Sequence, residues 1–411
     1  MDPPLPIEGI LPPDLQGTLL RAGPGEGAMG ALHAVELRDG TAVSYLTCES
    51  AADANVLWHA GSVLALAEVG LPLQYSRQLE AEDFSGGLTV PIASHIHREA
   101  ATGHRVLFGV EEGAETTQLR VGEWDAAGAL ASFQSVTLER STWQHDLAVT
   151  ARHIIFIESP TEPLGGDDAV DFRWAPGAEC WVGVVRRDGD GSAVRRFRLD
   201  PCLVTHVVGA YDEGIGGDEG GIVLFVCRYE VPEKGQPVDL TSSVVGEPGI
   251  GMTSIGGGLA VLERWRIEGE RLERVQVDDR WVEYPRVDPL CEGAAFRYGY
   301  CVEMASGVAG GMEVDHLGLL RLDTQRDEVA VWNPGQYRTA GEPLFVRSVD
   351  GHGDDEGWLL TVVDDATRGA SDLYVLDASS FGRRGPQAVI HLPVRLPFRS
   401  HGEWVGADRY R

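Results

Sequence analysis

The sequence predicts an all-β protein built as a propeller. Two observations carry this. Short apolar runs recur from one end of the chain to the other, and no long stretch keeps a helical period with caps at both ends. The runs imply roughly 25 to 30 strands, too many for one sandwich but suited to a propeller at about four strands per blade. Glycine, 52 of 411 residues, is spread along the chain and often stands beside Asp or Glu, as many tight turns require.

The strand signature is a run rich in Val, Ile, Leu and aromatics, bounded by Gly, Asp or Pro. It appears at 62–69, 105–110, 153–159, 180–187, 221–229, 258–267, 328–333, 357–363 and 371–378. RRDGDGSAVRRFRL (186–199) and RWRIEGERLERV (264–275) read as hairpins closing on Asp-Gly and Glu-Gly. The acidic, Gly-rich stretches 165–172 and 212–221 read as exposed loops. Seven blades would average about 59 residues, longer than the roughly 40–50 of common propeller repeats. No clean internal repeat fixes the blade number.

Composition excludes some functions. The balance of 43% apolar and 24% charged residues is globular, and the net charge of -29 opposes nucleic acid and anionic lipid as partners. Lys234 is the one lysine among 34 basic residues, so Schiff-base chemistry has only that side chain or the N-terminus to use. The six cysteines include no CxxC pair and read as reduced thiols, not a disulfide framework. The start, MDPPLPIEGILPPDLQG, has neither a basic n-region nor an apolar h-region, and no apolar run is long enough to span a bilayer. The expectation is a cytoplasmic protein.

Four of the twelve histidines stand near the ends of strand-like runs beside Gly, Ser or Asp, as a residue facing a propeller axis must: His95, His145, His206 and His401. His95 and His97 share a strand face, so spacing alone leaves either as a metal ligand. There is no HExxH and no compact two-His-one-carboxylate cluster. The long, unequal gaps between the four suit ligands drawn from different blades.

The motifs around these residues resemble the carotenoid cleavage oxygenase family, which includes apocarotenoid, stilbene-cleaving and retinoid-isomerase branches. LPPDLQGTLLRAGPG (11–25) and MGALHAVELRDG (29–40) resemble its opening segments, and NVLWHAGSVLALAEVG (55–70) the stretch with its first glutamate. HIHREAATGH (95–104), QHDLAVT (144–150), THVVGAY (205–211) and HGEWV (401–405) resemble its four histidine motifs. VEYPRVD (282–288) and GEPLFVR (341–347) resemble its other glutamate motifs, and 356–378 its late strand pair. The motifs stand in the family's order along nearly the whole chain.

The resemblance implies one seven-bladed propeller over residues 1–411, with loops capping a substrate tunnel and Fe(II) on the axis. The family's register, counted back from Gly103, selects His95 over His97. The implied iron ligands are His95, His145, His206 and His401, and the implied carboxylates behind them are Glu68, Glu283 and Glu342. Four neutral imidazoles suit Fe(II) and leave two octahedral positions open, while carboxylates fix each ring by taking its outer N–H. Three glutamates would set three negative charges against the two of the metal. The implied reaction is dioxygen-dependent scission of a conjugated carbon–carbon double bond to two carbonyl products. The implied partners are an apolar polyene, dioxygen and, transiently, a membrane surface.

Three departures from the family pattern stand out. The segment between RAGPG and EGAMG is abridged. Ala54 replaces a threonine that partly blocks one free iron position in relatives. Gly209 replaces an asparagine after His206, which brings the local loop geometry into question. Ala67 stands where the stilbene-cleaving branch commonly has a lysine that meets a phenolic oxygen, so the expected substrate is a carotenoid or apocarotenoid over a hydroxystilbene. The competing readings are a calcium-dependent propeller lactonase or hydrolase, which would need an axial Asp/Glu/Asn cluster, and a non-catalytic scaffold binding proteins on an acidic face.

Overall fold

The computed structural model describes residues 4–24, 30–84, 86–88, 90–113, 115–163, 171–175, 177–214, 220–229, 239–241, 260–304, 316–396 and 401–408. Lys234 and most of the two acidic loop stretches lie outside these residues. The described chain is β-structure apart from one short 3-10 turn, Ala378–Ser380.

Most of its strands sort into seven antiparallel blades around an axis. Gly402–Gly406, Gly17–Pro24, Gly30–Arg38 and Thr41–Ser50 form blade 1. Blade 2 is Asn55–His59, Ser62–Leu66, Leu73–Tyr75 and Ala81–Glu82. His97–Arg98, Arg105–Glu112, Thr117–Trp124 and Leu130–Thr137 form blade 3. Blade 4 is Ala148–Val149, His153–Glu158, Cys180–Arg186 and Arg195–Leu199.

Blades 5 and 6 share one 17-residue strand, Arg271–Val287. Its first part completes Leu203–Asp212, Ile222–Tyr229 and Ala260–Glu268, while its last part opens a sheet with Tyr298–Met304, His316–Asp323 and Glu328–Trp332. Blade 7 is Leu344–Arg347, Gly357–Asp365, Ala370–Asp377 and Ala388–His391, edged by Ile7–Gly9. Blade 1 closes the ring by pairing the last described strand with Gly17–Pro24, the first of its three early strands.

Seven apolar clusters lie between consecutive blades. Phe108 and Phe156 join blades 3 and 4. Ile155, Leu224 and Trp265 join blades 4 and 5, and Phe225 and Val282 join blades 5 and 6. Leu359 faces the cluster toward blade 6 and Leu360 the one toward blade 1. Successive residues of a strand point to opposite faces, and here both faces are buried, so central strands read as continuous apolar runs instead of alternating ones.

Every apolar run expected as a strand is one. The described strands number 34, more than expected, because ten are two- or three-residue pairs too short to leave a compositional trace. The 264–275 hairpin closes tightly: Glu268 faces Arg271 and Gly269 takes φ 54°. The 186–199 hairpin does not close on Asp-Gly. Its last pair is Val184 with Arg195, and a longer loop bends first at Arg186, whose carbonyl accepts from Gly189 N–H. All six cysteines are free, and four of them are buried. Among the described residues, no helix is long and apolar enough to cross a membrane.

Candidate metal centre

Each blade sends one of the seven expected site residues to the axis. His401 directly precedes the inner strand of blade 1, and Glu68 follows Ser62–Leu66 of blade 2. His95 and His145 precede the inner strands of blades 3 and 4, and His206 lies within that of blade 5. Glu283 lies on the shared strand where blade 6 begins, and Glu342 just before the inner strand of blade 7. Propeller inner strands converge on the axis, so residues up to 333 positions apart in sequence meet there.

The four imidazoles are buried and mutually edge-on. The His95 ring centroid is 4.5 Å from that of His145, 4.9 Å from His206 and 4.7 Å from His401. Potential ligand atoms of His95, His206 and His401 lie within 4.8 Å of one another. His145 Nε2 is 3.3 Å from His206 Nε2.

Three rings turn their Nδ1 outward to a carboxylate. His145 Nδ1 donates to Glu68 Oε1 at 2.5 Å, His206 Nδ1 to Glu283 Oε2, and His401 Nδ1 to Glu342 Oε1 at 2.7 Å. Burial works against the charge on Glu68 and Glu283, yet His145 and His206 respectively hold these carboxyls below their ordinary range. Ionised carboxylates only accept, so they put the ring protons on Nδ1 and leave bare lone pairs on Nε2. Two such lone pairs facing each other at 3.3 Å repel unless a proton or a metal ion lies between them. His95 Nε2 is buried without a protein partner. Burial, followed by the neighbouring His145, His401 and His206, pushes the His95 pKa well down and keeps that ring neutral. Orphaned and opposed acceptor nitrogens of this kind fit a bound metal ion.

The glutamates are themselves held. Glu68 accepts from the Trp143 indole at 3.2 Å and the Ser94 hydroxyl at 3.3 Å. Glu283 accepts from the Thr205 hydroxyl at 2.6 Å. Glu342 accepts from Arg286 Nε at 2.8 Å, Arg21 NH1 at 3.2 Å and Gly402 N–H at 2.9 Å. Burial would raise its carboxyl, but Arg286 and His401 drive it far below the carboxylate range. This corrects the expected charge balance of three carboxylates against one metal, because two guanidinium groups already face Glu342.

Sequence reasoning missed Arg21, Arg286, Asp146 and Tyr284. Asp146, Arg286 and Tyr284 sit inside motifs already singled out, and adjacency was their only signal. Arg21 lies 321 residues from its partner Glu342, and no spacing connects them. Tyr284 takes φ 53°, a strained conformation for an aromatic residue, and its ring lies 5.6 Å from His206 and 5.3 Å from His401.

His97 does not join the four. Its Nε2 lies 2.7 Å from Asp146 Oδ1. The Gly209 substitution has a steric counterpart: a Cβ there would meet the Phe296 ring at 2.7 Å. Two register shifts flank His206, between Val204 and His206 and between Val207 and Gly209. The segment holding Ala54 is tied to the His95 segment, since Asn55 Nδ2 donates to Ser94 O at 2.9 Å. A cavity of about 120 Å³ reaches His95, His206 and His401, with His97, Asp146 and Arg286 in its walls. Its walls mix these groups with apolar side chains such as Ile96, Val207, Leu344 and Phe345.

The family model for retinal pigment epithelial membrane protein matches residues 35–406. The chain is 27% identical to isoeugenol monooxygenase of Pseudomonas putida, over 86% of this chain and 74% of that one. It is 27% identical to a carotenoid cleavage oxygenase of Mycobacterium tuberculosis, over 98% and 94% of the two chains. Its fold matches that of cobalt-substituted Synechocystis ACO with a TM-score of 0.83, at 22% identity over 98% of this chain and 95% of the other. The chain therefore belongs to the retinal pigment epithelial membrane protein family, the group of carotenoid cleavage oxygenases that its histidine and glutamate motifs resemble.

Proposed function

We propose that the protein is a non-haem Fe(II) dioxygenase that splits one carbon–carbon double bond of a carotenoid or apocarotenoid into two carbonyl groups. One observation carries the reading. Four buried imidazoles converge, three of them with Nδ1 committed to carboxylates and Nε2 turned inward. His95, His145, His206 and His401 would hold the metal, and Glu68, Glu283 and Glu342 would fix the rings. Iron, when bound, supplies the redox chemistry that activates dioxygen.

The remaining work belongs to the chain. The carboxylates keep each proton on Nδ1, and the packed inner strands hold the four rings at one spacing before metal arrives. Position selects the bond to be cleaved, because both atoms of dioxygen end in the two carbonyl products and no acid–base step is required of a side chain. The whole chain acts as one propeller, with loops over the tunnel as its cap; pairing of the early strand Gly17–Pro24 with the late strand Gly402–Gly406 supports that unity. Six unbridged cysteines support a reducing, cytoplasmic setting.

Identity is equal toward the isoeugenol and carotenoid enzymes, so the substrate choice rests on Ala67. This residue packs against the apolar cluster between blades 1 and 2 and offers a phenolate neither charge nor hydrogen bond. Metal analysis joined to oxygen uptake tests the reading, using an apocarotenal and a 4-hydroxystilbene side by side. About one iron per chain and turnover of the apocarotenal are expected. Cleavage of the stilbene alone would replace the substrate class and leave the centre intact. Calcium in place of iron would point to the hydrolase and no metal to the scaffold, and either would overturn the dioxygenase assignment.

A further inference from the structure

We propose that Asp146 is a positioning residue that locks three of the four histidines into one frame; this rests on the reading that the four rings hold a metal. Asp146 directly follows His145. Its Oδ1 lies 2.7 Å from His97 Nε2, and His97 is two residues beyond His95. Its Oδ2 accepts from the Val207 N–H at 2.8 Å, and Val207 directly follows His206. The same Oδ1 accepts from Leu147 N–H at 2.8 Å, which fixes the carboxylate against its own backbone. One buried side chain thus ties the entries of blades 3, 4 and 5 at the point where each presents its imidazole.

The fold explains why such a tie is needed. Leu203–Asp212 pairs with a strand on one side only, and the two register shifts around His206 release backbone groups from the ladder. Val207 stands opposite Val226 beside the second shift, and its buried N–H donates to Asp146. On either side of His95 the strand pairings are short, Ile92–Ala93 before it and His97–Arg98 after it, with Asn55 Nδ2 on Ser94 O and Glu292 on Arg98 N–H as further ties. A hydrogen bond from the His97 ring adds a fixed point within two residues of His95. Ring positions set by such outer contacts govern metal affinity by roughly 10- to 100-fold.

The test compares Asp146→Ala, Asp146→Asn and His97→Ala with the parent chain, and uses Asp212→Asn as control. Asp212 bonds the His153 ring at 2.7 Å, a similar buried pair in blades 4 and 5 away from the four rings. Three readouts are taken: the iron dissociation constant by chelator competition, the visible d–d spectrum of the Co(II) form, and the melting temperature of metal-free protein. Asp146→Ala should weaken iron binding about 10- to 100-fold and shift the Co(II) bands. Asn can still accept from Val207 N–H and donate to His97 but loses the acceptor for Leu147 N–H, so its affinity should fall between that of the parent and that of Asp146→Ala. His97→Ala removes one arm and should cost about three-fold or more. Asp212→Asn should lower the melting temperature with iron affinity and spectrum unchanged.

If Asp146→Ala does not fold, His97→Ala decides, since it leaves the Val207 bond in place. Unchanged iron affinity and Co(II) spectrum in Asp146→Ala, or in His97→Ala in that event, would overturn the proposal. So would an equal loss of affinity in Asp212→Asn. A parent chain that binds no iron would instead sink the metal reading and this proposal with it.

Discussion

The His206 and His401 arms of the centre look alike at the imidazole and differ one bond further out. Behind His206, Glu283 also accepts from neutral donors, the Thr205 hydroxyl and the Tyr284 N–H. Behind His401, Glu342 lies between Arg286 and Arg21. A carboxylate behind a metal-ligating imidazole does two things: it orients the ring and it makes the ring a stronger donor. In the proposed centre Glu283 would do both with its full charge. At Glu342 the charge is matched by two guanidinium groups, so its role there would be orientation. The same arginines tie it to the backbone around His401, because Arg286 NH2 donates to Gly402 O at 3.1 Å and Gly402 N–H donates to Glu342.

The largest effect is expected at the ligands themselves. His206→Ala should abolish iron retention and oxygen-dependent turnover while the far-ultraviolet circular dichroism stays native, because the inter-blade clusters hold the ring without an axial ion. Full iron content and turnover in that variant would remove His206 from the metal site, and with it the arm that the comparison treats as the stronger one.

Glu342→Gln comes next and acts mainly on stability. It leaves Arg21 and Arg286 without their buried counter-charge, and breaking a buried pair from one side costs about 3–5 kcal/mol. Denaturant melts of the metal-free chain should show that loss for Glu342→Gln and a much smaller one for Glu283→Gln. Equal losses would erase the distinction between the arms.

Glu283→Gln should act on the metal instead. Its neutral amide still reaches His206, but the charge is gone, and iron affinity or turnover should fall roughly 10- to 100-fold; Glu68→Gln should behave likewise. Chelator competition on the folded variants checks this. An unchanged affinity in both would leave the two glutamates as structural residues.

The smallest effect sharpens the His206 arm alone. Gly209→Ala forces a methyl group against the Phe296 ring, an overpacking that costs about 1–3 kcal/mol. The strain falls on the strand of His206, so the melt should shift while the backbone around His401 is undisturbed. An unshifted melt would show that Phe296 yields freely and that Gly209 answers to no steric demand.

The sequence by itself determined the all-β class, the strands of the continuous apolar runs and the residues that meet on the axis. Those signals are local: a run of Val, Ile and Leu bounded by Gly or Asp, or a histidine at its end, reads within ten residues. The resemblance did the rest, its register counted back from Gly103 favouring His95 over the neighbouring His97, whose ring lies on Asp146 in the structure. Tertiary structure alone decided the shared Arg271–Val287 strand, the two guanidinium groups around Glu342 and the link from Asp146 to Val207. The physical reason is that a propeller brings the start of every blade to one axis, so its decisive contacts join residues tens to hundreds of positions apart. Burial then determines their charge and hydrogen bonding, and burial on an axis is a property of the closed ring, written in no single segment.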